Sequence, residues 1–355
     1  MSSSSLRTAS QPLLARIAAT RVLIAPNEGP CIGTHHGTFH ADEVLACSML
    51  RLLPETSNHD IVRTRDPDVL AKCRPVVDVG GVYDPSKQLY DHHQREFSDT
   101  MEGHGIRLSS AGLVYRHHGK QLIQQLCKDL GLTLDEAAVD TVYGRLYERL
   151  IKHVDAIDNG VPIAGADAKQ LYRVTSDLSS RVARCNPRWN HPEQGPALEN
   201  QQFVAAMLVA ATELMEQVEV AVASWLPARS LTERAIEKGM EHFPSGQVLV
   251  LSQFAPWKDH LHELEEQRGT QGRALYVLFP DARCTWRIVA VPVEPDSFVS
   301  RKPLPKPWRG LRDEELSKLL GLPGCVFVHA GGFIGGHNTF EGAVEMARMA
   351  LAAAE

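Results

Sequence analysis

The residues of this chain best suited to chemistry fall in four short stretches. The first reads Gly33-Thr34-His35-His36-Gly37-Thr38-Phe39-His40-Ala41-Asp42-Glu43. The second is Val76-Val77-Asp78-Val79-Gly80-Gly81, and the third is Tyr90-Asp91-His92-His93. A fourth, Val154-Asp155-Ala156-Ile157-Asp158-Asn159-Gly160, adds two carboxylates. Imidazoles and carboxylates hold divalent cations such as Mn²⁺ and Mg²⁺. Two such ions, about 3.5–4 Å apart, polarise a phosphoryl group and bring the pKa of a shared water near neutrality. One strand cannot surround two ions, so the ligands must arrive from several strand ends.

Taken singly, most of these residues have a plainer use. A lone loop histidine is ordinarily a solvated surface group. Asp42 can cap the helix that follows it, and Asp155 or Asp158 can sit in a C-terminal turn. Asp78 is different, because it lies inside an apolar run and an unpaired buried carboxylate is costly. The convergence of four such stretches is what argues for a metal site.

The elements that must position them can be read from periodicity. Cys31-Ile32-Gly33 predicts a short buried strand, and Asp42 starts a helix through about Leu53. Residues 61–62 and 76–79 read as further strands. Strands alternating with helices predict a mainly parallel sheet, which holds ligands beyond its strand ends. Ser109-Ser110-Ala111-Gly112 looks like a helix start, and residues 135–157 predict one longer helix closed by Asn159-Gly160. Residues 184–198 are rich in Pro and Asn and read as a linker or ordered loop. A long helix over 199–226 is expected to join two domains. Strands are predicted at 248–251, 274–279, 285–291 and 325–328, with Gly335-Gly336-His337 leading into a last helix. The expected fold class is therefore α/β. It comprises a mainly parallel domain over 30–198, the connecting helix 199–226, and a smaller mixed α/β domain over 227–355.

Bulk properties set outer limits. The chain has 355 residues, 43% apolar and 23% charged, with net charge −6. That balance excludes a molecule that is basic all over, so any polyanion surface must be local. No run of about 18 apolar residues exists, so no membrane partner is expected. The 7 cysteines are scattered without a Cys-x-x-Cys pair, which argues against a disulfide scaffold or thiolate zinc site. Residues 1–27 carry Arg7, Arg16 and Arg21, no acid before Glu28, and an apolar side of Leu13, Leu14 and Ile17. That is the composition of a mitochondrial transit peptide, and equally of a plain leader. Residues 1–29 are thus expected to be a leader, with the ordered chain beginning near Pro30. The expected location is mitochondrial or nuclear, with the cytoplasm left open.

Asp91-His92-His93 resembles the motif that names the DHH phosphoesterase superfamily. The longer strings at 33–43, 61–67, 76–81, 90–95 and 154–160 resemble one branch, the melanocyte-proliferating-gene-one family of 3′→5′ exoribonucleases. The likeness continues through 178–184, 225–229, 307–313 and 333–337, and so covers about residues 31–352. The resemblance implies a DHH-type catalytic domain and a C-terminal domain flanking a metal-lined cleft. It implies two divalent cations, Mn²⁺ before Mg²⁺. His35, His40 and Asp42 would form the first metal motif, Asp78 the second, and Asp91, His92 and His93 the third. Asp155 is the first choice for the fourth, with Asp158 its competitor in the same string. Asp78, Asp91 and His93 would be catalytic, His93 lying near the phosphoryl group. Two departures stand out. His40 takes a position where the superfamily ordinarily has Asp, and His36 stands where Asn is expected. His36 is thus an alternative outer ligand to His35. The imidazole lowers the site's negative charge, which disfavours Mg²⁺ relative to Mn²⁺.

The same resemblance places a phosphate-binding Gly335-Gly336-His337 segment in the C-terminal domain. Glycines before a helix can also present N–H groups to an anion, or simply form a tight turn. Arg301, Lys302, Lys306, Arg309 and Arg312 lie near Phe298 and Trp308, and Arg181, Arg184 and Arg188 lie near Trp189. Cations neutralise phosphates and aromatics stack on unpaired bases, although a basic run is usually a solvated face. The expected function is a metal-dependent phosphodiesterase. It would release nucleoside monophosphates from the 3′ end of single-stranded RNA, with DNA a further candidate. The alternatives are a phosphoesterase on short oligonucleotides, cyclic dinucleotides or pyrophosphate, and a non-catalytic RNA-binding protein.

Overall fold

The computed structural model describes residues 3–165 and 170–354. The chain divides into two compact units, one running to Ala223 and the other from Ser224. Both are α/β.

The first unit contains α1 (Ser3–Ala18), β1 (Val22–Leu23), β2 (Cys31–Thr34), α2 (Ala41–Leu52), β3 (Asp60–Arg63), α3 (Pro67–Leu70), β4 (Val76–Val77), β5 (Tyr83–Asp84) and β6 (Leu89–Tyr90). It continues with α4 (Ser110–Asp129), α5 (Glu136–Leu146), α6 (Lys152–Asp158), α7 (Leu178–Ala183) and α8 (Pro196–Val220). The strands form one sheet in the order β1-β3-β2-β4-β6-β5. All neighbours pair in parallel except β5, which returns antiparallel to β6. Every residue of α2 is buried, and the helix packs on α1, α4 and α8. That accounts for its apolar composition around its whole circumference.

Two expectations about this unit change. The sheet begins before Pro30, since β1 pairs with β3 through Val22–Ile61 and Leu23–Val62. Leu13 and Ile17 of α1 are buried, and Arg21 grips the Asp60 carboxylate at 2.8 and 2.6 Å. The apolar side read in residues 1–29 thus serves as packing surface. The single helix expected over 135–157 is two helices, α5 and α6, joined by a π-turn at Tyr147–Ile151. The wider turn resets the phase of α6 and with it the direction of Asp155 and Asp158.

The helix expected over 199–226 starts earlier, at Pro196, because Pro suits a first turn and Gly195 supplies the left-handed entry (φ 107°). A π-turn at Ala221–Trp225 leads directly into α9 (Leu226–His242). Pro227 does not break it, since it falls in the first turn of α9.

The second unit adds β7 (Val248–Val250), α10 (Lys258–Gln267), β8 (Tyr276–Pro280), β9 (Trp286–Ala290), α11 (Asp313–Leu320), β10 (Cys325–Val328), β11 (Ile334–His337) and α12 (Phe340–Ala352). Its sheet runs β10-β11-β9-β8-β7, with β7 and β8 parallel and the rest antiparallel. The mixed sheet expected here is present, with one strand more. Gly335-Gly336-His337 is part of β11, an interior strand between β9 and β10.

Gly239 lets α9 lie against β7. A Cβ there would fall 2.0 Å from the Val248 carbonyl oxygen, a backbone atom that cannot swing aside. Gly239→Ala is expected to destabilise the protein by roughly 1–3 kcal/mol, as overpacking does. Denaturant unfolding checks this; an unchanged midpoint would show that the helix can shift freely.

Candidate metal centre

The parallel strands end on one edge, and the residues after those ends converge. His35 follows β2, Asp78 follows β4, and Asp91 and His92 follow β6. Asp42 and Glu43 arrive on the first turn of α2, and Asp158 on the last turn of α6. Asp78 takes φ +57°, a left-handed backbone that is uncommon outside Gly, Asn and Asp. That turn ends β4 at Val77, short of the expected Val79, and sets the carboxylate among its neighbours.

The contacts are short. His35 Nε2 lies 3.0 Å from Glu43 Oε1 and 3.3 Å from Asp78 Oδ2. His92 Nε2 lies 3.4 Å from Asp78 Oδ1 and 3.2 Å from Asp158 Oδ2. Four sets of ligand atoms each gather within 4.8 Å: His35, His40 and Glu43; Asp78, His92 and His93; Asp42, His92 and Asp158; and Asp42, Glu43 and Asp78. Asp42, Glu43, Asp78 and His92 are buried. Neither carboxylate oxygen of Asp42 and neither ring nitrogen of His92 has a hydrogen-bond partner. Buried polar atoms are ordinarily satisfied. Orphaned oxygen and nitrogen atoms facing one another among acids are the donor set a divalent cation completes.

Charge crowding shows in the proton affinities. Burial raises Asp42 well above the usual carboxylate range, and the charges of Asp78, Glu43 and Asp158 raise it further. Burial and the nearby Asp78 also raise Asp158, against the opposing pull of His92. Burial alone would lower His35, yet its bonds to Asp78 and Glu43 outweigh that and carry it to about 10. Burial pushes Asp78 up, but the neighbouring imidazoles of His35 and His92 outweigh it and hold it well below the ordinary range.

His93 sits differently from the rest. Its side chain is 63% exposed, and Asp91 Oδ1 holds Nδ1 at 2.8 Å. Asp91 also accepts from the backbone of Gly81 and His93. Asp91 therefore orients His93, and the bond from Asp91, stronger here than the effect of burial, raises the histidine's pKa.

The structure sorts the candidates. His35 joins the cluster, whereas His36 is exposed and turns outward. Asp158 joins, whereas Asp155 does not. Asp155 is fully buried, and its Oδ1 accepts from Ser109 N and Oγ at 2.9 and 2.7 Å, capping the start of α4. Glu43 was not singled out from the sequence, because Glu at the third position of a helix reads as an ordinary cap partner. It does serve as one, accepting from His40 N at 2.9 and 3.0 Å, and it reaches the cluster as well.

Two further residues hold the loop between β2 and α2. Asn186 brackets the Phe39 backbone, accepting from its N–H at 3.0 Å and donating to its carbonyl at 2.8 Å. Arg63 is buried, donates to Gly37 O at 2.5 Å and stacks on Phe39 and Phe203.

The expected substrate residues are mostly engaged elsewhere. His337 is buried, its Nδ1 accepting from Thr339 N and its Nε2 lying 3.0 Å from Pro323 O. With Gly335 and Gly336 inside a strand, their backbone belongs to sheet pairing, unlike the free N–H groups of a loop. Arg301 forms a buried ion pair with Glu265 at 2.8 Å, and Arg309 Nε donates to Leu304 O. Arg181 pairs with Glu213 at 2.8 Å, while Arg184 is exposed and donates to Thr175 O. Trp308 is buried in the core of the second unit.

Among the described residues, no helix is long and apolar enough to cross a membrane. A family model, MYG1_exonuc, described as an uncharacterised protein family (UPF0160), matches residues 31–351. The chain is 49% identical over 337 residues to a human protein named MYG1 exonuclease, covering 93% of this chain and 87% of that one. The mouse protein of the same name is 48% identical over 337 residues, covering 93% and 86%. A MYG1 protein of Dictyostelium discoideum is 44% identical over 317 residues, covering 89% and 94%. No solved structure matches the chain.

Two outcomes follow from this geometry. Asn186→Ala removes both tethers on Phe39. It should cost roughly 1–2 kcal/mol of stability and weaken Mn²⁺ binding about ten-fold, as outer-shell losses do, both readable by calorimetry. For Asp155, burial outweighs the Ser109 bonds and lifts the pKa from 3.8 to about 7. The folded state then holds a proton the unfolded state has lost. The stability this contributes is full below pH 3.8 and is lost as pH rises to about 7. Unfolding free energies of wild type and Asp155→Asn should therefore diverge in the variant's favour across that window; a pH-independent difference would refute the shift.

Proposed function

The chain belongs to the MYG1 family, and from that premise we propose that it is a divalent-metal-dependent 3′→5′ exoribonuclease of the DHH phosphoesterase type. The observation that carries the reading is the buried set of Asp42, Glu43, Asp78, His35 and His92, joined by the partly buried Asp158, with donor atoms of Asp42 and His92 left orphaned. A nuclease is supported by the names of the human and mouse relatives.

The residues divide the work. His35, Asp42, Glu43, Asp78, His92 and Asp158 hold two cations, with His40 at the rim. When bound, the cations supply Lewis-acid charge at the phosphate and acidify water. The three imidazoles among the carboxylates favour Mn²⁺ over Mg²⁺. Asp91 fixes the His93 ring by its Nδ1 and leaves Nε2 to meet the substrate. Ser110, at the start of α4, donates to Asp78 Oδ1 at 3.4 Å and steadies it. Burial of the acids keeps bulk water away from the charges, which strengthens each of these interactions.

Hydrolysis of a 5′-labelled single-stranded RNA of about twenty nucleotides tests this. Wild type and Asp78→Asn are compared with Mn²⁺, Mg²⁺ and chelator. Asn tolerates the left-handed backbone that Asp78 adopts, so the variant isolates the lost charge. The expected result is a ladder shortening from the 3′ end, absent with chelator. In the variant it should be slower by more than about a hundred-fold, since a ligand and its charge are both removed. Rates that stay flat between dinucleotides and long RNA would assign the site to small substrates instead. Cleavage that survives both chelator and substitution would overturn the reading.

A further inference from the structure

The loop after α7 is anchored to the loop that carries His40. Asn186 provides the anchor through both polar groups of the Phe39 backbone. Three residues later, Trp189 is 92% exposed. The turn that presents it is closed on itself. His191 N–H donates to Arg188 O at 3.0 Å, and Gln194 Nε2 donates to the carbonyls of Arg188 and His191 at 3.1 and 2.9 Å. An indole left in water forgoes the burial of about 150–250 Å² that usually stabilises it. Here an ordered backbone holds it there, next in sequence to exposed Arg188 and in the same loop region as exposed Arg184.

The aromatic groups of the second basic cluster, Trp308 and Phe298, do not offer this. Trp308 is buried. Phe298 is fully exposed, but its hairpin carries Glu294 and Asp296, whose charge repels phosphate.

We propose that Trp189, with Arg184 and Arg188, forms a nucleobase-stacking subsite for single-stranded nucleic acid beside the metal-facing loop. The indole takes the face of a base, and the guanidinium groups take the phosphates on either side. Stacking of this kind is tolerant of sequence because every base has a π-face. The subsite rests on the nucleic-acid part of the functional reading above, though not on hydrolysis. A ligand made only of phosphates meets the arginines but not the indole.

That contrast gives the experiment. Anisotropy of a labelled ten-nucleotide single-stranded RNA is measured in chelator with the full chain, for wild type, Trp189→Ala and Trp189→Phe. Inorganic polyphosphate serves as competitor and phosphate-only probe. Trp189→Ala is expected to lose on the order of ten-fold in RNA affinity, with polyphosphate competition as in wild type, and Trp189→Phe to retain most of it. RNA affinity unaltered by Trp189→Ala overturns the proposal. So does equal weakening of RNA and polyphosphate, or a wild type that binds no RNA. Indole-dependent binding without hydrolysis would leave the subsite standing and remove the exonuclease reading. Hydrolysis with unaltered affinity in Trp189→Ala would do the reverse.

Discussion

Three buried carboxylates, Asp42, Glu43 and Asp78, with the partly buried Asp158 close to Asp42, dominate the first unit. Asp42, Glu43, Asp78 and Asp158 repel each other wherever all are ionised, and burial sharpens that repulsion. Protons or positive charges must offset that repulsion. The bonds of His35 to Asp78 and Glu43 meet part of that need, which is why His35 holds its proton so strongly. The remainder is the attraction that a divalent cation would feel. The scaffold is best understood as a means of keeping these acids close despite their charge.

The means are ordinary interactions in unusual places. A strand stops at Val77 so that Asp78 can turn through a left-handed backbone. A helix-capping glutamate reaches past its own cap to touch His35. Asp155, three residues from a cluster member, secures the start of α4, whose Ser110 in turn contacts Asp78. Gly112 leaves room for that arrangement, since a Cβ there would fall 2.5 Å from Asp155 Oδ1. Each device links a fold-level role to the site by one bond.

The parts of this that sequence discloses are those with local signals. An aspartate inside an apolar run and two histidines after another pointed to strand ends where acids and imidazoles gather. Asp155 is preferred to Asp158 from the sequence, yet Asp158 faces the cluster, because both lie within a turn of the same helix and the π-turn before α6 sets the phase. His36 and His35 are neighbours, and their opposite directions depend on loop conformation. Gly335 and Gly336 read as a turn because glycine weakens strand propensity; only their partners in β9 and β10 make them a strand. Asn186 carried no signal at all, since its partner lies 147 residues earlier.

That last separation bears on how the molecule is made. All six strands of the first sheet lie between Val22 and Tyr90, and can pair once that stretch has left the ribosome. Asp158 and Asn186 are translated only afterwards. At about 5–20 residues per second, the interval is of order 5–20 s. During it the nascent sheet carries Asp42, Glu43 and Asp78 without the carboxylate and the amide that complete their surroundings. The acidic cluster is therefore completed late in biogenesis, and a chain arrested before Asn186 would present an acidic sheet edge to the cell with an untethered loop beside it.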